Sequence, residues 1–395
     1  MRHRTLFAKL LEHLEKKQIS LIIGARQTGK TTIMQQMNSS LKSKGKQTFF
    51  LSLEDPEVLD NLNAHPRNLF NIIPPFDDKD RYFVFIDEIQ YLDNPTNFLK
   101  YHYDLHSPQI KLVVSGSSAF YLDEKFKDSL AGRKRIFTLQ TLSFEEFLIF
   151  KNREEIVPFI NSGNIPEIYL AELNKWLNEY LLFGGYPDVV LESNINEKEL
   201  ILDDIAESYM KKEVLEANLK SPDAYFEILR ILSAGKGTYN GNRIGNELHI
   251  SQTSLKNYVK LMEISFHISR VRPFHRNFTK ELRKMPKIYF NDLGLRNYFR
   301  KNYSPIALRM DKGELLENYV FRRFLDFYTL DEIKFWRTQK KQEVDFIIQE
   351  SKAYEVKFSE QSFKPYKYKF FQEKYPEINF RLIHYENVLK FKIQE

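Results

Sequence analysis

The first third of the chain alternates short apolar runs with longer amphipathic stretches. Leu21-Ile22-Ile23 runs straight into a polar loop with two glycines, and Thr48-Phe49-Phe50-Leu51-Ser52-Leu53 ends at Glu54-Asp55-Pro56. Tyr82-Phe83-Val84-Phe85-Ile86 ends at Asp87-Glu88, and Ile110-Lys111-Leu112-Val113-Val114 ends at Ser115-Gly116-Ser117-Ser118. Short apolar runs bounded by polar turns predict strands buried on both faces, the habit of a parallel sheet. Residues 2–17 predict a charged amphipathic helix leading into the first strand. Strands and helices in alternation predict an α/β fold with a doubly wound parallel sheet over residues 1–150.

Downstream the period changes. Ile168, Leu170, Leu173, Leu177 and Leu181 keep helical spacing up to Gly184-Gly185-Tyr186-Pro187, and residues 197–219 predict a second long helix. Together they predict a helical lid over residues 151–219. Apolar residues at Ile244, Leu248, Ile250, Leu255, Tyr258, Val259 and Met262 then fit a helix-turn-helix core with Ser251 capping the second helix. Residues 264–271 and 287–290 predict the strands of a wing, so residues 220–287 form a winged-helix candidate. Residues 288–395 complete the chain with an α/β domain in which 344–348 and 353–358 predict a hairpin around Gln349–Ser351.

The loop after the first strand carries the most specific chemistry. Gly24-Ala25-Arg26-Gln27-Thr28-Gly29-Lys30-Thr31 has the spacing of a phosphate-binding loop between a strand and a helix. Glycines let successive backbone N–H groups converge on an anion, and the following helix adds its positive end. Residues 24–32, ending at Thr32, therefore predict the cradle for ATP. Within it Lys30 reaches the β- and γ-phosphates and Thr31 ligates Mg²⁺. The paired acids after the third apolar run extend the site: Asp87 orients the Mg²⁺ shell and Glu88 polarises the attacking water. One of Ser115, Ser117 and Ser118 is expected at the γ-phosphate.

Composition narrows the setting. The 395 residues exceed one ordinary core, and none is cysteine, which excludes disulfides, cysteine–zinc sites and thiol catalysis. No apolar run is long enough to span a membrane, and the N-terminal pattern is not that of a secretory signal, so a cytoplasmic protein with no membrane partner is expected. The formal charge of +6 is unevenly spread. Residues 211–300 hold 17 Lys/Arg and 8 Asp/Glu, a net of +9, leaving −3 for the rest. The basic stretch points to DNA, with Gln252, Thr253, Lys256, Asn257 and Lys260 facing a groove. The competing reading is a solvated basic face used for protein contact.

Several segments resemble a known family of archaeal and bacterial AAA+ superfamily P-loop ATPases with a C-terminal domain of uncharacterised function. They are GARQTGKTT, FVFIDEIQYL, VVSGSS, LAGRKRIFTLQTLSFEEFL and FGGYPDVV, with KIYFNDLGLR, GELLEN and FWR further on. The resemblance implies Mg²⁺-dependent ATP hydrolysis and an arginine finger, Arg133 or Arg135, acting within the chain or across a homo-oligomer. Its last segments, Glu343-Val344-Asp345-Phe346 and Tyr354-Glu355-Val356-Lys357, resemble the PD-(D/E)XK nuclease pattern. Asp345, Glu355 and Glu317 would then hold a second Mg²⁺ and Lys357 would position water. The alternative for Asp345, Glu355 and Lys357 is cross-strand charge pairing. Three outputs stay open: an ATPase controlling the basic and nuclease-like half on DNA, an ATP-licensed nuclease, or a nucleotide-gated adaptor for an unknown protein partner with an inactive scaffold.

Overall fold

The computed structural model describes residues 2–74, 81–116, 130–217, 219, 221–235, 239–274, 285–338, 340 and 342–393. They form two compact units, Met1–Gln140 and Thr141–Glu395.

The first unit is a five-stranded sheet in the order β2-β3-β4-β1-β5, all neighbours parallel. Its strands are β1 (Ile19–Ile23), β2 (Thr48–Ser52), β3 (Tyr82–Asp87), β4 (Ile110–Gly116) and β5 (Lys134–Thr138). β1, β3 and β4 are buried at every position, as expected of largely apolar strands in a parallel sheet. Helices α1 (Leu6–His13) and α2 (Lys30–Ser43) bury Leu10, Ile33, Met34 and Met37 against Ile22, Phe85 and Val113. Helices α3 (Pro56–Ala64) and α4 (Pro95–His106) start with proline behind an Asp55 or Asn94 cap.

The second unit is built differently from the three consecutive domains that the pattern suggests. A six-stranded mixed sheet runs β11-β10-β9-β8-β6-β7. Its strands are β6 (Ile268–Pro273), β7 (Lys287–Phe290), β8 (Ile333–Arg337), β9 (Glu343–Ile348), β10 (Lys352–Lys357) and β11 (Asn379–His384). The two strands expected for a wing pair antiparallel as β6–β7, but β6 also pairs in parallel with β8. The wing and the C-terminal sheet are thus one sheet, and the boundary expected at 287/288 falls inside it.

The lid boundary shifts for a similar reason. Helix α5 (Phe144–Phe150), closed by a Ser143/Glu146 capping box, and helix α6 (Glu167–Phe183) share one core with Phe321, Phe346 and Ile383. Ile168, expected on the apolar face of α6, is 82% exposed. The expected long helix breaks into α7 (Ile195–Asp204), a π-helical turn Ile205–Met210 and a last short helix Lys211–Glu216. Helices α8 (Pro222–Ala234), α9 (Gly241–Glu247) and α10 (Gln252–Ile264) follow, and they share a second core with Phe299 of α11 (Leu293–Arg300).

Two of the quoted motifs interlock. Gly184 has φ +72, and a Cβ there would lie 2.2 Å from Asp292 Oδ1. The Gly185 N–H donates to Asp292 Oδ2 at 2.8 Å, while Asp292 Oδ1 caps α11 by accepting from Leu295 N. A Cβ on Gly294 would meet the Phe183 carbonyl oxygen at 2.2 Å. Only glycine permits this approach of two backbones.

Candidate functional site

The phosphate-binding loop leaves β1 at its carboxyl end and enters α2. Gly29 takes φ +92, a left-handed turn that frees the helix N-terminus, and a Cβ there would meet no atom within 4 Å. A Cβ on Gly24 would sit 2.2 Å from the Leu139 carbonyl, so β1 and the end of β5 clamp the loop at its base. Gln27 is held at φ 58, the kind of non-glycine strain that collects at functional loops. Lys30 Nζ donates to the carbonyls of Gly24 and Ala25 at 3.1 and 2.7 Å, folding its ammonium over the loop. Ala25 and Thr28 are buried, Arg26 and Gln27 half-buried, and Thr31 and Thr32 exposed.

The strand ends beside the loop supply the rest. Thr31 Oγ1 donates to Asp87 Oδ2 at 2.6 Å, across α2 and β3. Ser115, at the end of β4, donates its hydroxyl to Asp87 Oδ1 and accepts the Glu88 N–H at 3.1 Å. Ser115 is thus the serine of this network, and Ser117 and Ser118 lie outside the described residues. Glu88 sits at φ 57, and its Oε2 accepts from Gln90 Nε2. Lys30, Thr31, Asp87, Glu88 and Ser115 therefore meet at one end of the sheet, as expected for the carboxyl ends of parallel strands.

Pattern reading missed two supports. Arg4, buried ahead of α1, donates to the Thr28 carbonyl at 2.8 Å and to the Gln140 carbonyl at 2.7 Å. It braces the loop from behind. Gln90 holds the carboxylate of Glu88. Arg4 carries no motif signal, and Gln90 was visible only as part of a resembling segment.

Arg133 is placed elsewhere. It precedes β5, where its carbonyl accepts from Ile19 N at the start of β1. The phosphate loop follows the far end of β1, about 13 Å away at 3.3 Å per residue. Arg133 pairs there with Asp104 at 2.7 Å, and Arg135 lies opposite Ser20. Both backbones thus lie toward the end of β1 opposite the loop.

The nuclease-like residues of the second unit converge. Gln349 and Glu350 take φ 49 and 55 in the β9–β10 turn. Tyr354 pairs with Phe346, so the next pair in that register is Glu355 with Asp345. Asp345 and Glu355 are buried, and Asp345 Oδ2 accepts from Val356 N at 2.9 Å. Lys357 pairs with Glu355, which also accepts from Tyr368 OH at 2.7 Å. Burial, then the Asp345 charge, pushes Glu355 up to about 8, against the pull of Lys357. Glu317 on helix α12 (Lys312–Phe324) accepts from Tyr289 OH at 2.6 Å.

A residue that the pattern marks only as one more cation of the basic stretch occupies the middle. Lys287, 1% exposed, places its ammonium 2.9 Å from Glu317, 2.5 Å from Glu343 and 3.2 Å from Asp345. Burial disfavours its charge, but these carboxylates outweigh burial and hold it well above the ordinary lysine value. Among the described residues no group of three or more His, Asp or Glu is arranged to hold a metal ion. The expected second Mg²⁺ site of Glu317, Asp345 and Glu355 does not fit, because an ammonium already satisfies two of its three carboxylates.

The basic helix α10 presents Thr253, Lys256, Asn257 and Lys260 outward and buries Leu255, Tyr258, Val259 and Met262. Gln252 is exposed as well but donates to the Gly241 carbonyl at 3.1 Å, tying α10 to α9. Further along the basic stretch, Arg270 is paired with Glu263 at 2.6 Å, and Arg276, Lys280, Arg283 and Lys284 lie outside the described residues. Among the described residues no helix is long and apolar enough to cross a membrane.

Comparison with known proteins bears on each unit. Residues 16–148 match the family model of an AAA domain. Residues 174–305 and 312–395 match two domains of unknown function, DUF8612 and DUF4143. An uncharacterized protein of Methanocaldococcus jannaschii is 29% identical over 349 residues, covering 84% of this chain and 72% of that protein. An uncharacterized protein of Haemophilus influenzae is 26% identical over 359 residues, covering 87% and 82%. Among solved structures, the ORC2 protein of Aeropyrum pernix in its ADP form aligns at a TM-score of 0.35 and 13% identity, covering 68% of this chain and 87% of that one. That likeness is too distant to carry a fold assignment. The AAA match and the strand-end network agree on a P-loop nucleotide site in the first unit.

Proposed function

We propose that this chain is a Mg²⁺-dependent ATPase whose nucleotide cycle controls a DNA-contacting second unit. The observation that carries the first half is the network joining Lys30, Thr31, Asp87, Ser115 and Glu88 at the mouth of the phosphate loop. These residues fit the nucleotide and its metal. The Gly24–Thr32 backbone would cradle the phosphates, Lys30 would turn from the loop carbonyls to the β- and γ-phosphates, and Thr31 and Asp87 would hold the ion. Bound Mg²⁺ supplies charge neutralisation at the transferring phosphoryl group. Glu88 orients a water and takes its proton, with its backbone fixed by Ser115 and its carboxylate by Gln90. The test is steady-state ATP hydrolysis: wild type turns over with Mg²⁺, and Lys30→Ala does not. Equal rates in the two would remove the first unit from the reaction.

The DNA half rests on the outward residues of α10 and on the net charge of +9 over residues 211–300. Helix–helix–helix–hairpin is the order in which a winged helix presents α10 to a groove. A related reading makes the second unit a binding scaffold rather than a nuclease, and Lys287 among its carboxylates favours that reading.

A further inference from the structure

The centre formed by β7, β9, β10 and α12 has the carboxylates of a cation site, and a cation is built into it. Glu317, Glu343 and Asp345 all lie within 3.2 Å of Lys287 Nζ. They come from one helix and one strand, α12 and β9, and converge on the first residue of β7. We infer that Lys287 is the resident cation of this centre, taking the place that a divalent ion takes among such carboxylates, so the wild-type chain holds no metal there.

Three observations support this. The lysine cannot readily withdraw. Its backbone is locked opposite Val271 in the β6–β7 pair, the preceding Pro286 carbonyl accepts from Tyr239 N at 2.9 Å, and its ammonium lies 5.6 Å from the Phe335 ring centroid. Three of the carboxylate oxygens are taken: Asp345 has one on Lys287 and the other on Val356 N, and Glu317 Oε1 accepts from both Lys287 and Tyr289. Much of the charge is already neutralised, with Lys287, Lys357 and Arg337 paired to the carboxylates of Glu317, Glu343, Asp345 and Glu355. A dication entering this space would face a buried ammonium at contact distance, and like charges in a low-dielectric interior repel strongly. The inference concerns the second unit alone and stands whether or not the first unit hydrolyses ATP.

The experiment titrates the full-length, nucleotide-free chain with Mn²⁺ and follows the free-ion signal by electron paramagnetic resonance. Wild type and Asp345→Asn should bind Mn²⁺ identically. Lys287→Met removes the ammonium, keeps the stem, and should gain a bound Mn²⁺ that the Lys287→Met/Asp345→Asn double variant loses. A wild-type chain that holds Mn²⁺ and releases it on Asp345→Asn overturns the inference. So does Mn²⁺-dependent DNA cleavage that requires Asp345, or a folded Lys287→Met chain that gains no ion. If Lys287→Met does not fold, the comparison of wild type with Asp345→Asn decides alone.

Discussion

At the scale of single residues, function concentrates where side chains are held from more than one direction. Glu88 is strained at φ 57, anchored at its N–H by Ser115 and at its carboxylate by Gln90. Preorganisation of this kind matters to turnover and not to nucleotide affinity. Gln90→Ala is therefore expected to lower kcat about tenfold, or about 1.4 kcal/mol of barrier, with KM for ATP unchanged. A rise in KM with constant kcat would make Gln90 a binding residue instead. Arg4 acts one layer further back. Its guanidinium makes two hydrogen bonds to backbone carbonyls, one of them in the phosphate loop. Arg4→Ala should cost the first unit about 2 kcal/mol, since each such bond involves a charged donor. Calorimetric melting checks it. These residues differ in how far the chain announces them. The phosphate loop and Asp87-Glu88 are legible because their chemistry demands contiguous residues. Gln90, Arg4 and Lys287 act across space, and no local pattern encodes their partners.

At the scale of elements, the strand pattern of the first unit is legible because a parallel sheet buries whole strands, and the runs at β1, β3 and β4 are apolar almost throughout. The β9–β10 hairpin is legible too, since the length of its turn sets the register that brings Glu355 opposite Asp345. Amphipathic helices are less informative. Spacing shows that α6 buries a face but not that this face meets Phe321 and Phe346 from the far end of the chain. The interlock of Gly184, Gly185 and Asp292 illustrates what depends on that meeting. Gly184→Ala must fit a Cβ 2.2 Å from Asp292 Oδ1 at a left-handed φ, and should destabilise the second unit by about 3 kcal/mol. Both tryptophans, Trp176 and Trp336, lie in that unit, so urea unfolding followed by fluorescence reads it selectively. A loss under about 0.5 kcal/mol, the scale of an ordinary surface change, would contradict the packing described. For α10, Lys256→Ala with Lys260→Ala should weaken duplex binding and flatten its salt dependence by about one unit of slope per lysine removed. An unchanged slope would show that this face does not meet phosphates.

At the scale of the whole molecule, the two units differ in what they bury. The first unit encloses titratable bases. His102 is lowered to about 4 chiefly by burial, and His13 to about 4 by burial and then the Lys111 charge. Both bind protons less readily folded than unfolded. As pH falls from 6.5 towards 4, only the unfolded chain takes them up, so first-unit stability declines across that window and levels off below it. Far-UV circular dichroism melts from pH 7 to 4 should show this fall, and His102→Gln should shrink it. The second unit instead buries paired charges, including Arg323 with Glu145 and Lys287 with its carboxylates. Such pairs fix one arrangement of helices and strands more than they add stability. Under the proposed function, Glu88 drives hydrolysis at the Gly24–Thr31 loop. Its most direct test is a single-turnover assay of Glu88→Gln with radiolabelled ATP and Mg²⁺. ATP should be retained at wild-type affinity, with hydrolysis slowed at least about a hundredfold. Hydrolysis at the wild-type rate would contradict it.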